Sequence, residues 1–298
     1  MDLSHLIPAS RATAKLTDAQ RIKQIKADRW IGYPRAKQAL ERLEELFYIQ
    51  SKQRMPNLLI VGPTNNGKSM IIEKFRRMHP VKERNEDVLD EMPVVVVQMP
   101  SEPGVARFYA MLLSALGSSS FTRTRAVQLE DIALNRMRRM ESRILIIDEL
   151  HNMLAGNSAE QREFLNLLRF LGNELRIPLV GVGTRDAYLA IRSDDQLENR
   201  FEPFLLPKWE ENNDLLTLLA SFAAAFPLRL PSKLASRKTA AYILARTEGT
   251  IGEIAAFLSA AAIEAVESGE ECINPKTMEH AKYQAPSERR RTFERALV

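Results

Sequence analysis

The chain is poor in the residues that would commit it to several kinds of chemistry. One cysteine among 298 residues, Cys272, excludes an internal disulfide framework. The four histidines, His5, His79, His151 and His280, are scattered and have no Cys or His partners at zinc-ligand spacing. The N-terminus is polar and lacks the apolar core of a secretory signal, and no apolar run approaches the roughly 20 residues that span a bilayer. Neither a membrane partner nor a secreted location is therefore expected. Internal repeats and low-complexity tracts are also missing. With 45% hydrophobic and 27% charged residues, long disorder is not expected either.

What is present is a chain long enough for two domains and mildly basic, with a net charge of +4. That charge permits a polyanionic partner without demanding one. The cations are concentrated near the two ends. Residues 11–29 carry Arg11, Lys15, Arg21, Lys23, Lys26 and Arg29 against Asp18 and Asp28. The last stretch carries Arg289, Arg290, Arg291 and Arg295 against Glu288 and Glu294. Such ends read by default as solvated tails. Phe293 and Leu297 give the second one something apolar to bury, which favours a tether over a tail.

Between the ends, strand and helix signals alternate. A polar arm with some helix covers 1–27. WIGYPRA (30–36) leads into a helix with Ala36, Ala39, Leu40, Leu43, Leu46 and Phe47 on one face. Strands are predicted at LLIVG (58–62), VVVVQM (94–99), ILIID (144–148), LVGVG (179–183) and FLLP (204–207). Helices are predicted near 70–78, 108–116, 128–141, 158–175 and 185–192. The alternation calls for a mostly parallel sheet covered by helices. After Trp209 only helices follow, near 210–225, 237–247, 251–267 and 275–283. Four segments are expected: a basic arm (1–27), an α/β nucleotide-binding core (28–208), a helical lid (209–285) and a basic tail (286–298).

The chemistry is carried first by GPTNNGKS (62–69), which fits G-x-x-x-x-G-K-[ST] and sits between a buried strand and an amphipathic helix. Such a loop wraps a phosphate with backbone N–H groups, which is why small residues stand at Gly62 and Gly67. The helix that follows adds its positive end. Lys68 supplies a point charge for the β- and γ-phosphates and Ser69 a hydroxyl for Mg²⁺. ATP contacts are expected along Gly62, Pro63, Thr64, Asn65, Asn66, Gly67, Lys68, Ser69 and Met70. The second piece is ILIIDE (144–149), a buried strand ending in two carboxylates. Asp148 would hold Mg²⁺ through a water, and Glu149 would orient and deprotonate the attacking water. One strand lies between the two pieces and a Glu follows the Asp, which favours a hydrolysing ATPase over a nucleoside kinase or a GTPase.

Two further positions stay open on sequence grounds. Thr184, at the end of LVGVGT, can touch the γ-phosphate or the lytic water, or cap the helix after it. Arg200 can reach into a neighbouring protomer's nucleotide site, or form a surface pair with Glu198 or Glu202. The segments that follow the second predicted strand carry Arg107, Thr122, Arg123 and Arg125, cations and a hydroxyl of the kind that a duplex backbone takes. The bland reading of these is an ordinary basic surface loop.

With these pieces in order the chain resembles the AAA+ superfamily. More specifically, DRWIGYPRAKQAL, NLLIVGPTNNGKSMIIEKF, LIIDELHNMLAG, QREFLNLLRFLGNELRIPLVGVGT and QLENRFEPFLLPKW resemble the TniB family of transposition ATPases, related to TnsC and MuB. The resemblance runs from about residue 20 to 285. It implies a five-stranded parallel sheet flanked by helices plus a small helical lid. It also implies that Trp30, Ile31 and Tyr33 belong to a segment packing over adenine, that Thr184 acts as a sensor, that Arg200 is a trans-acting finger, and that Arg107, Thr122, Arg123 and Arg125 face DNA in a central channel. The implied function is ATP-dependent oligomerisation on duplex DNA, as a ring or helical filament, in a bacterial cytoplasm. The implied partners are a DDE transposase (TniA/TnsB-like) and a TniQ-like or CRISPR-linked target selector. One departure stands out. GTIGEI (249–254) has Gly252 where many AAA+ lids carry an arginine, so slow turnover is expected. A helicase loader or replication initiator, and a nucleotide-controlled signalling switch without DNA, are the competing functions.

Overall fold

The structure, a computed structural model, describes residues 2–84, 89–118 and 124–296. Thr122, Arg123 and Leu297 lie outside the described residues. The chain forms two compact units. One comprises Gln38–Thr64 with Lys68–Pro207, and the other comprises Met1–Lys37, Asn65–Gly67 and Lys208–Val298. The helices ahead of the sheet are α1 (Pro8–Ala14), α2 (Asp18–Lys26) and α3 (Pro34–Phe47).

The first unit is built on a parallel five-stranded sheet of β1 (Asn57–Val61), β2 (Val94–Gln98), β3 (Ile144–Asp148), β4 (Leu179–Gly183) and β5 (Phe201–Leu205). The order is β2-β3-β4-β1-β5. The sequence explains this order. NLLIV, ILIID and LVGVG are almost continuously apolar, as strands buried on both faces must be, and they occupy the three central places. FEPFL contains a proline and sits at an edge, where the missing N–H of Pro203 costs no ladder bond. Glu202 and Pro203 also interrupt its apolar run, which is why the sequence reading begins this strand at 204 rather than 201. In the ladders Leu58 lies opposite Val180, and Val97 opposite Ile147.

Helices α4 (Lys68–Met78), α5 (Val105–Ala115), α6 (Ala126–Arg139), α7 (Ser158–Leu175), α8 (Arg185–Arg192) and α9 (Asp195–Glu198) complete this unit. Phe108 and Leu112 of α5, Ala133 and Met137 of α6, and Phe164 and Leu168 of α7 share one buried cluster with Val95, Leu145 and Ile147. Helices α5 and α6 run side by side in the same direction. The Tyr109 hydroxyl donates to Glu130 at 2.9 Å near one end, and the Arg136 Nε donates to the Leu116 carbonyl at 2.9 Å near the other. The start of α7 is fixed by a capping box. Asn157 accepts from the Ala159 and Glu160 amides while Glu160 accepts from the Asn157 amide. A 3-10 turn at Leu150–Ala155, which the sequence reading does not anticipate, leads from the acidic strand end towards that helix.

The second unit is helical, with α1 and α2 joined by α10 (Asn213–Ala225), α11 (Arg237–Thr247), α12 (Ile251–Glu267), α13 (Pro275–His280) and α14 (Pro286–Ala296). The first 37 residues thus cluster with the C-terminal helices. Arg21 shows how. It is fully buried, and its guanidinium grips both carboxylate oxygens of Glu271 at 2.7 Å, Asp18 at 2.7 Å and the Pro227 carbonyl at 3.3 Å. Burial works against the Glu271 carboxylate. The Arg21 hydrogen bonds and the Arg229 backbone amide outweigh it and hold this carboxyl below the usual range.

Arg21→Ala should therefore destabilise the protein by about 2 kcal/mol, because Glu271 loses the paired hydrogen bonds of one guanidinium and keeps only Arg229, at 3.2 Å. A depressed carboxyl contributes its stability above the ordinary carboxylate range and loses it as pH falls through the folded-state value. The gap between wild type and variant in urea melts should accordingly close below about pH 4. A gap that stays constant from pH 7 to pH 3 would remove the ion pair as its cause. Among the described residues no single helix is long and apolar enough to cross a membrane.

Candidate functional site

The loop after β1 is shaped by close approach. A Cβ at Gly62 would lie 2.8 Å from the Leu206 carbonyl oxygen, so no side chain fits as the chain leaves the strand. Gly67 has a φ of +81°, in the left-handed region that glycine enters without strain. Asn65 is also left-handed, at φ 59°. Lys68 opens α4 and folds back over the loop. Its ammonium donates to the Gly62 carbonyl at 2.9 Å and the Pro63 carbonyl at 2.7 Å. Burial lowers its pKa, an effect opposed by the nearby carboxylates of Glu149 and Asp148. Thr64 and Met70 are exposed.

The acidic end of β3 meets this loop. The Ser69 hydroxyl donates to Asp148 Oδ2 at 2.8 Å, and Asp148 Oδ1 accepts the Glu149 amide at 2.8 Å. Two residues expected to serve Mg²⁺ are thus in direct contact. A hydroxyl and a carboxylate, both hard oxygen donors, suit that ion, which usually takes one or two carboxylates and completes its shell with water and phosphate oxygens. Among the described residues no group of three or more His, Cys, Asp or Glu is placed to hold a metal, so no all-protein cage competes with this site.

Glu149 occupies a left-handed backbone conformation, φ 54° and ψ 37°. A non-glycine residue is strained there, and such strain persists only where the surroundings enforce it. Its carboxylate lies 3.2 Å from His151 Nε2. The sequence reading assigns nothing to His151, although its place two residues after Glu149 is the signal that could have found it. Thr184 stands at the N-cap of α8, yet its hydroxyl makes no capping bond. Its Oγ1 is buried, as is His151 Nδ1, and neither has a hydrogen-bond partner among the described residues. The capping role open on sequence grounds is therefore not what this hydroxyl performs.

Arg200 is at the other end of the sheet. Its carbonyl accepts the Asn57 amide at 2.9 Å, where β1 begins, and its guanidinium donates to Asn173 Oδ1 at 2.9 Å. Neither Glu198 nor Glu202 pairs with it: Glu198 pairs with Arg192 and Glu202 with Arg42. With Lys52 and Arg54 it lines a groove of about 580 Å³. Arg200 is level with Pro56, one residue before β1, and Gly62 is one residue after it, a span of about 20 Å at roughly 3.3 Å per residue. An arginine side chain cannot bridge that span to its own loop.

In the helical unit, Asn65–Gly67 meet the start of α12. The Gly252 amide donates to the Asn65 carbonyl at 3.0 Å, and the Ile251 amide to Asn66 Oδ1 at 3.3 Å. Tyr33 is buried, edge-on to Trp209 with centroids 5.0 Å apart, and burial pushes its hydroxyl up to about 12. Its oxygen lies 3.6 Å from where a Cβ on Gly67 would be. Trp30 and Ile31 line a cavity of about 570 Å³ with Ser10 of α1 and Thr217 and Ser221 of α10. Of the expected adenine segment, Tyr33 is thus the residue beside the phosphate loop, and Trp30 and Ile31 face the cavity.

Of the backbone-binding candidates, Arg107 lies in the first turn of α5 and pairs with exposed Glu102 at 2.6 Å. Arg125 is the N-cap residue of α6, and its amide donates to Gln128 Oε1. Because α5 and α6 run in the same direction, both arginines lie at the same end of the helix pair.

Comparison with known proteins places this geometry. The family model described as "Bacterial TniB protein" matches residues 21–211. No curated protein matches the chain. Among solved structures, the ORC2 protein of Aeropyrum pernix, in ADPNP-ADP complexes, aligns with a TM-score of 0.61 at 14% identity, covering 87% of this chain and 70% of that one. The ORC1 protein of the same organism, in complex with DNA, aligns at 0.56 and 16%, covering 88% and 68%. Cdc6p from Pyrobaculum aerophilum aligns at 0.56 and 13%, covering 89% and 71%. At these identities the likeness speaks to fold, and the fold is that of the AAA+ ATPases, with the parallel sheet and helical C-terminal region expected from the sequence.

Proposed function

This chain belongs to the TniB family, and from that premise and its AAA+ ATPase fold we propose that it is an ATP-dependent regulator of DNA transposition. It binds ATP with Mg²⁺, oligomerises as a ring or helical filament on duplex target DNA, and recruits and activates a DDE transposase. In doing so it links that enzyme to a TniQ-like target selector. The observation that carries this reading is the convergence of Lys68, Ser69, Asp148 and Glu149 within a chain of this family.

Each side chain then has a task. Lys68 leaves the Gly62 and Pro63 carbonyls to meet the β- and γ-phosphates. Ser69 and Asp148 would hold Mg²⁺, which when bound neutralises phosphate charge. Glu149 takes the proton of the attacking water, and Thr184 orients that water with its unpartnered hydroxyl. Trp30, Ile31 and Tyr33 form the segment that packs over the adenine, Tyr33 beside Gly67. Arg200, at the far end of the sheet, serves the site of a neighbouring protomer.

Duplex DNA is met by the N-terminal ends of α5 and α6, where Arg107, Arg125 and two positive helix ends coincide. The exposed Arg107–Glu102 pair is weak and gives way to a phosphate. Such contacts position without reading sequence, in keeping with binding to many targets.

Electron microscopy tests the proposal. Micromolar protein with duplex DNA and a non-hydrolysable ATP analogue should give regular assemblies that disappear without the triphosphate. Affinity for DNA should fall steeply with salt. Bare DNA under those conditions, or binding indifferent to salt, would overturn the reading and favour a nucleotide switch acting on proteins alone.

A further inference from the structure

The carboxylate of Glu253, in the first turn of α12, is almost wholly enclosed, and three groups converge on it. Its Oε1 accepts the Asn65 side-chain amide at 3.1 Å and the Arg289 guanidinium at 2.6 Å. Its Oε2 accepts the Tyr283 hydroxyl at 2.8 Å. Asn65 is the tip of the phosphate loop, and Arg289 belongs to α14. One oxygen atom therefore joins the loop to the last helix, 36 residues further along the chain than Glu253 itself.

The junction is tightly fitted. A Cβ on Gly252 would lie 1.8 Å from Asn65 Oδ1, so a side chain at this position would push the Asn65 amide off Glu253. The Gly252 and Ile251 amides complete the seat. Helix α14 is held by further charges: Arg290 to Glu248 at 3.7 Å, Arg246 to Glu288 at 3.6 Å, and the Ser287 amide to Glu248 at 3.0 Å. Tyr283 stays a neutral donor, since burial and the bond to Glu253 both raise its pKa.

We infer that Glu253 is a positioning residue for the phosphate loop, and that Arg289 makes the loop competent for nucleotide by neutralising it. The inference rests on the nucleotide-binding reading above. A carboxylate 3.1 Å from the loop's own amide is misplaced beside a polyphosphate unless a cation cancels it. Arg289 is that cation, and it is delivered by α14 rather than by α12. Linkage then runs both ways. Docking of α14 raises nucleotide affinity, and bound nucleotide holds α14 in place by the same factor. When the loop lets go, α14 is freed with Arg289, Arg290, Arg291 and Arg295.

A charge-swap cycle with a fluorescent ATP analogue on the full chain tests this. Arg289→Ala should weaken binding about tenfold, more for the triphosphate than for the diphosphate. Arg289→Ala with Glu253→Gln should recover most of the loss, which a merely structural loosening of α14 would not do. Arg291→Ala, on the same helix but outside its ion pairs, should bind as wild type. Trypsin should cut at Arg289–Arg291 more slowly when nucleotide is present. Wild-type affinity in Arg289→Ala, or no rescue by Glu253→Gln, overturns the inference while leaving the nucleotide site intact. A wild-type protein that binds no adenine nucleotide overturns the proposed function, and this inference with it.

Discussion

Glu149→Gln is expected to bind ATP as the wild type does and to hydrolyse it about 100- to 10,000-fold more slowly, the range lost when a positioned general base is removed. The binding groups are elsewhere. Lys68 is held by loop carbonyls, Ser69 by Asp148, and the Glu149 amide that bonds Asp148 Oδ1 is backbone, which glutamine retains. The side-chain change is nearly isosteric, so the left-handed turn at this residue keeps its occupant. What is lost is the capacity to accept a proton. If assembly on DNA needs the triphosphate, the variant should also remain on DNA long after wild type has left. Single-turnover hydrolysis and filament lifetime, read in parallel, check both halves. A rate within twofold of wild type would remove Glu149 as the base and turn attention to His151, 3.2 Å away.

The nucleotide loop and the acidic strand were legible because their spacing is local. Gly62, Gly67, Lys68 and Ser69 lie within eight positions, and the apolar runs on either side announce strand and helix. The central strands were legible for the same reason: burial on both faces leaves an uninterrupted apolar run. What the sequence concealed depends on partners far along the chain. Asn65 and Glu253 are 188 residues apart, and Arg21 and Glu271 are 250 apart. No periodicity brings such pairs together. Gly252 was legible only as a missing arginine. The Asn65 side chain occupies the space that a side chain at 252 would take. The edge strand was misplaced by three residues because an edge tolerates the proline and glutamate that mask its pattern.

Arg200→Ala is expected to bind ATP normally and to lose turnover by 1000-fold or more, the scale on which arginine fingers act in phosphoryl transfer, estimated at about 10³–10⁵. Geometry makes the effect a property of the assembly. The residue is anchored by its carbonyl to the start of β1, whereas the loop follows the end of that strand. A protomer cannot use its own Arg200, so the loss should be repaired by a neighbour. Mixing Arg200→Ala with Lys68→Ala separates the two arrangements. The first variant keeps an intact loop without a finger, and the second keeps the finger without a working loop. A trans arrangement predicts that the mixture hydrolyses ATP although each variant alone does not, with a rate that rises as the square of dilute protomer concentration. A cis arrangement predicts no recovery at any ratio, because no protomer in the mixture carries both groups. Lys52 and Arg54 share the groove with Arg200, against one carboxylate, Asp195. If the mixture recovers activity, this cationic surface is the one that faces the neighbour's triphosphate, and occupancy of one site would hold the next protomer in register.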